Sequence, residues 1–204
     1  MLGGTLVEPL LVHALGAVNR RRYDGAMTDT RTRLLALCAA ILGAAALRLV
    51  PHPPNFAPIA AMALFSGAYL PRRALAFAAP LAALFLSDLV LGFYHGMATV
   101  YFATGLIVLI GWWVSSRRSV LRIAAAALAS SILFFILTNL GMWAFSGFYP
   151  RTAAGLAACY VAAIPFFQNT LAGDLFFTGL LFGGFALAER LVPAIREPRR
   201  AVAT

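Results

Sequence analysis

Lysine is missing from this chain altogether, so all sixteen basic side chains are arginine. Charge of either sign is scarce, at 11% of residues. A soluble domain carries roughly a quarter, so this chain lacks the polar surface to cover itself in water. Cysteine is nearly absent as well. Cys38 and Cys159 both lie in apolar stretches and form no CxxC pair, so they read as buried small hydrophobes. Neither a disulfide framework nor a zinc or other metal site is expected from them. There is no GxSxG, no HExxH, no P-loop and no Rossmann glycine pattern. The expectation is therefore no enzyme and no cofactor, and any ATP-driven step would need a borrowed motor.

What the chain has in excess is apolar residues, 62% of the total, with a mean hydropathy of +0.86. The apolar stretches are too long and too many for one soluble core, which leaves the bilayer as solvent. The net charge of +9 comes from arginines lying between and beyond those stretches, the pattern that orients membrane proteins. Nucleic acid is excluded as a partner on that ground.

Three regions follow. Residues 1–33 are expected to be a peripheral or disordered extension. Their apolar run, Leu6 to Val18, is interrupted by Glu8, Pro9 and His13, and Arg20, Arg21 and Arg22 come after it, unlike a signal peptide. Met27 is a candidate start, because the residues from there read as a short basic tail entering a helix. Residues 34–191 form the transmembrane domain, and residues 192–204 a basic cytoplasmic tail.

Within the domain the apolar segments are Leu34 to Val50, Phe56 to Leu70, Ala74 to Tyr94, Ala98 to Ser115, Val120 to Phe145, Ala153 to Phe167 and Leu171 to Leu191. Two are short, since a crossing helix needs about 20 residues. The arginines arbitrate. If Phe56 to Leu70 crosses and Ala153 to Phe167 does not, only Arg48 and Arg151 of the domain's arginines face outward. The expected fold is thus an all-α membrane protein. It is a bundle of six transmembrane helices, with both termini in the cytoplasm of a bacterial inner membrane and a short outer re-entrant or interfacial helix before the last span.

Topology then sorts the polar residues. Asp88, Asn139 and Asp174 fall at a similar depth, roughly 5–10 Å below the outer surface. Intramembrane carboxylates are costly and usually face a cavity or a partner. Arg48, His52, Asn55, Tyr94, His95, Trp143, Tyr149, Arg151 and Asn169 lie in or near the same outer layer. Each has a plain alternative. Tyr94, Trp143 and Tyr149 suit an interfacial aromatic belt. Arg48 and Arg151 could snorkel. Asp88 could pair with either arginine to fix helix packing, and Asn139 could bond across helices. Their convergence at one depth points instead to an outward-opening site for a small solute. Arg48 and Arg151 would meet an anionic group, Asp88 and Asp174 would accept hydrogen bonds or hold a cation, and Trp143 and Tyr149 would stack.

Four strings carry a resemblance: RLVPHPPNFAPIAAMALFSGAYL from Arg48, LFLSDLVLGFYHG from Leu84, TNLGMWAFSGFYP from Thr138 and CYVAAIPFFQNTLAGDLFF from Cys159. Together they resemble an uncharacterised bacterial family of transport proteins, related to the substrate-binding S components of energy-coupling factor (ECF) transporters. The resemblance covers roughly residues 32–191. It implies S-component-like architecture, capture of a vitamin-like solute or a metal from outside, and partnership with a scaffold subunit and two ATPases. It also implies a small-residue face on the first span, at Ala40 and Ala44, for that scaffold. Two other classes compete: a stand-alone proton- or cation-coupled carrier using Asp88 and Asp174, and a structural membrane protein without a ligand.

Overall fold

The computed structural model describes residues 30–197, so most of the N-terminal extension and the end of the basic tail lie outside the described residues. The chain is all-helical, with no strand among the described residues. In chain order the helices are α1 (Thr30–Leu47), α2 (Ile59–Tyr69), α3 (Arg73–Leu91), α4 (Met97–Ser115), α5 (Val120–Phe145) and α6 (Ala153–Thr178). A π-helical turn, Gly179–Gly183, joins α6 to α7 (Gly184–Leu191) without a break. Five helical runs are long and apolar enough to cross a membrane: α1, α3, α4, α5, and the 39-residue run from Ala153 to Leu191.

That last run corrects the expected architecture. Ala153 to Phe167 is not a separate re-entrant or interfacial element, but the first part of the helix that becomes the final span. Pro165 lies inside it. A helical proline removes one hydrogen bond and clashes with the preceding turn, yet here the helix carries on past it, and Gln168, Asn169 and Thr170 belong to the helix rather than to a linker. At 1.5 Å per residue the run is about 58 Å long, roughly twice the hydrocarbon thickness of a bilayer. Smaller shifts occur elsewhere. The first helix already includes Thr30, ahead of the expected Leu34, and the tail contains a short 3₁₀ helix, Pro193–Ile195, whose Ile195 is buried.

By contacts the chain divides into two units. The larger, Leu37–Leu187, is organised around α2. That helix has 11 residues, so the expected crossing segment Phe56 to Leu70 falls short of the about 20 residues a span needs. Among the described residues the long spans number five rather than six. All of Ala60 to Leu70 is buried. A helix apolar on every side belongs in the middle of a bundle, and α3, α4, α5 and α6 all pack on it. Its closest neighbour is α4, where Gly67 meets Gly111. A Cβ on Gly67 would sit 2.9 Å from the Gly111 Cα, so only glycine permits that crossing. Phe65, Tyr69, Phe182 and Phe185 pack ring against ring at the end of α2. Arg118 lies over the Tyr69 ring and donates from Nε to the Ala68 carbonyl.

Polarity is inverted relative to a soluble bundle. Leu35, Val90, Phe102, Val161 and Leu180 are exposed, whereas Asp88, Thr104, Ser130, Ser131 and Asp174 are buried. The smaller unit comprises residues up to Ala36 and from Ala188 onward. In it Arg33 pairs with Glu189 and donates to the Ile195 carbonyl. Arg196 donates to the Glu189 and Arg190 carbonyls, capping the C-terminal end of α7.

Candidate functional site

The two strings PHPPNF and NTLAGD, distant in sequence, are built against each other. Asn55 has a φ of 63°, a left-handed conformation that asparagine tolerates better than most residues. It lets the turn close, with the Phe56 N–H on the Pro53 carbonyl at 3.0 Å. Asn169 Nδ2 on α6 donates to the Pro54 carbonyl at 3.0 Å. Gly173 lets the turn approach, since a Cβ there would lie 3.1 Å from the Phe56 Cα. Phe56 then packs on Phe177, ring centroids 5.4 Å apart. Asn169 is therefore an anchor for the turn.

This docking forms one side of a cavity of about 430 Å³ within the larger unit. Its mouth is formed by His52 and Asn55 from the α1–α2 turn and by Tyr94, His95 and Gly96 from the α3–α4 loop. Its walls carry Phe134, Phe135, Thr138, Asn139 and Met142 from α5, and Ala163, Phe166, Phe167 and Thr170 from α6. Arg48, at the end of α1, lines it too. Asp174 is the last α6 residue to line it and forms the floor.

Of the twelve residues expected at a site, the structure brings seven to this cavity: Arg48, His52, Asn55, Tyr94, His95, Asn139 and Asp174. Asp88 stands behind it, fully buried, with Arg48 Nη2 at 2.8 Å from Oδ1 and the Tyr101 hydroxyl at 2.9 Å from Oδ2. Arg48 also donates to Ser87 Oγ and the Leu84 carbonyl. Of the two arginines weighed as partners for Asp88, Arg48 is the one that pairs. Trp143, Tyr149 and Arg151 do not line the cavity. The Trp143 indole donates to the Pro150 carbonyl at 2.9 Å, tying the α5–α6 loop to α5. The stacking pair and the second arginine of the expected site are thus absent from it.

The two buried carboxylates differ in their partners. Asp174 is 3% exposed and accepts one hydrogen bond, from Ser131 Oγ to Oδ2 at 2.7 Å. Among the described residues no arginine forms an ion pair with it, and none donates to Oδ1. Asn139 spends its amide on the Phe135 carbonyl of its own helix, and among the described residues nothing donates to its oxygen. Tyr94, in the loop, has its phenol pushed above the usual value by burial and by the nearby Asp88, with Arg48 opposing. It stays a hydrogen-bond donor at neutral pH. Among the described residues, Ser130 Oγ and Thr178 Oγ1 are buried with no hydrogen-bond partner.

Sequence reasoning missed Tyr101 and Ser131, which donate to the two carboxylates, Ser87, which accepts from Arg48, and the phenylalanine wall. The small residues of α1 divide by burial. Ala44 is buried inside the chain at 5% exposure and Ala40 is half-buried, whereas Ala39 and Gly43 are exposed. Among the described residues no group of three or more His, Cys, Asp or Glu side chains gathers as a metal centre would require.

Fold and site together define an all-helical, multi-pass membrane protein with a polar-floored cavity among apolar helices. The chain belongs to DUF6580, a family of unknown function, which it matches over residues 28–195. No curated protein and no solved structure matches it.

Proposed function

We propose that this protein captures a small solute in the cavity between α5, α6 and the two loops, as an S-component-like subunit of an ECF-type importer. The observation that carries the reading is the 430 Å³ cavity itself, lined by ring and polar side chains. Ligand cavities are typically apolar pockets with a few converging polar groups. Its place in the fold supports an outward opening. Arg72, Arg73, Arg117, Arg118 and Arg122 sit in and beside the loops at the other ends of the same helices. Under the positive-inside rule those loops face the cytoplasm and the cavity faces out. The scaffold and ATPases would meet α1 through Ala39 and Gly43, the small pair left exposed.

Of the two cargo classes implied by the resemblance, the organic one is favoured, because no metal-ligand cluster gathers among the described residues. Binding is favoured over catalysis, because neither His52 nor His95 is hydrogen-bonded to a hydroxyl or thiol. A two-carboxylate carrier is less well supported, because Asp88 is already neutralised by Arg48.

The test is a thermal-unfolding screen of the purified full chain against vitamins, their precursors and related small solutes, with Ala163→Trp as control. Ala163 lines the cavity and an indole there would fill it. A solute that stabilises the native chain and not the filled variant supports capture. If none stabilises, or if both proteins respond alike, the reading fails.

A further inference from the structure

We infer that the cavity takes a solute with a cationic head, an ammonium or similar group, seated on Asp174 with an apolar or ring-bearing body above it. This rests on the capture reading and names the class of solute.

The argument is one of charge and partners. Two charged groups meet the cavity, Arg48 and Asp174. Arg48 brings no free positive charge, because its guanidinium is held by Asp88, Ser87 and the Leu84 carbonyl. An anionic head would have to compete with Asp88 for it. Asp174 is the opposite case, with one hydroxyl donor on Oδ2 and, among the described residues, none on Oδ1. A carboxylate at that depth without a counter-charge is expensive, and a cation arriving from the cavity removes that cost. The binding energy is thus stored at the floor.

The walls agree. Phe134, Phe135, Phe166 and Phe167 present rings around the space above Asp174, and Phe135 and Phe167 pack with centroids 4.8 Å apart. Ring faces attract cations and favour those on an organic body, whose desolvation is cheap. A bare inorganic ion would leave most of a 430 Å³ cavity unfilled. Asn139 and Thr138 add a hydrogen-bond acceptor and a hydroxyl on the α5 wall, suited to one further donor on the solute.

The experiment uses three probes that share a ring and differ in charge: phenethylamine, phenylacetate and 2-phenylethanol. Their affinities for the full chain in detergent micelles at neutral pH are measured by calorimetry or by displacement. The expected order is cation, then neutral, then anion, with at least about tenfold between the ends. Asp174→Asn should flatten that order, and Asp174→Glu, which keeps the charge, should preserve it. Should Asp174→Asn fail to fold, the order in the native chain together with Asp174→Glu still decides. Tightest binding by the anion or the neutral ring, or an order that survives Asp174→Asn, overturns the cationic class and leaves capture standing. Binding of none of the three, together with failure of the solute screen, overturns both readings. Stabilisation by sodium chloride alone, with no response to phenethylamine, also overturns the inference.

Discussion

Asp88 and Asp174 are the only acidic residues between Leu37 and Leu187, and the chain treats them in opposite ways. Asp88 is closed on all sides, with an arginine on one oxygen and a tyrosine hydroxyl on the other. Asp174 is equally deep but meets one serine and open space. The first arrangement resembles a structural lock between the end of α1, α3 and α4. The second resembles a receptor waiting for a partner. Burial alone does not separate them, since their exposures are 0% and 3%. What separates them is whether the fold itself supplies the counter-charge.

The same chemical change at both sites should therefore give unequal results. Asp88→Asn leaves Arg48 buried and unpaired, a situation that costs about 3–5 kcal/mol. The unfolding midpoint in micelles should fall steeply or the folded protein should not be recovered. Changing both partners, Arg48→Met with Asp88→Leu, should cost less than either change alone, because no charge is stranded. If the double variant is as damaged as the sum of the singles, Asp88 is not a lock. Tyr101→Phe comes next. It removes one donor to a charged acceptor, a loss of about 1.5–3 kcal/mol, with solute binding unchanged.

How far the sequence announces this contrast depends on what helical periodicity can report. Grouping is legible. The arginine distribution and segment lengths predict one layer for Asp88, Asn139 and Asp174, and the structure sets Asn139 and Asp174 on the cavity with Asp88 behind it. Rotation about the helix axis is legible only in part. Arg48 continues the buried stripe of Leu37, Ile41 and Ala44, so its inward direction follows from spacing. Trp143 shares a face with Asn139 by the same rule, yet its long indole reaches the Pro150 carbonyl instead of the cavity. The phenylalanine wall is invisible in sequence, because a ring facing a cavity and a ring facing lipid look identical in an apolar helix. The fused final helix was hidden for a related reason. Pro165 and the polar run Gln168 to Thr170 imitate a break, whereas Asn169 is bonding sideways to the Pro54 turn and the helix persists.

At the floor, changes should be mild for folding. Asp174→Asn can still accept from Ser131 and turns its amide toward the cavity, so its stability cost should stay within about 1 kcal/mol, a fraction of that at Asp88. Equal destabilisation by the two asparagine variants would erase the distinction between lock and receptor.

The finest contrast comes from Ser131→Ala, read as a difference in ligand response. The Ser131 hydroxyl has one proton and two acceptors in reach, Asp174 Oδ2 at 2.7 Å and the Ala127 carbonyl at 3.1 Å. The Ala127 carbonyl lies inside α5, where a helical hydrogen bond already serves it, so losing the hydroxyl strands no acceptor there. Asp174 alone loses a partner. With its last donor gone, the carboxylate depends wholly on what enters the cavity. Phenethylamine should then raise the unfolding midpoint of Ser131→Ala by more than that of the native chain. An equal shift would mean that the cation does not reach Asp174, while a larger one would place the head of the solute on the carboxylate that Ser131 had been holding.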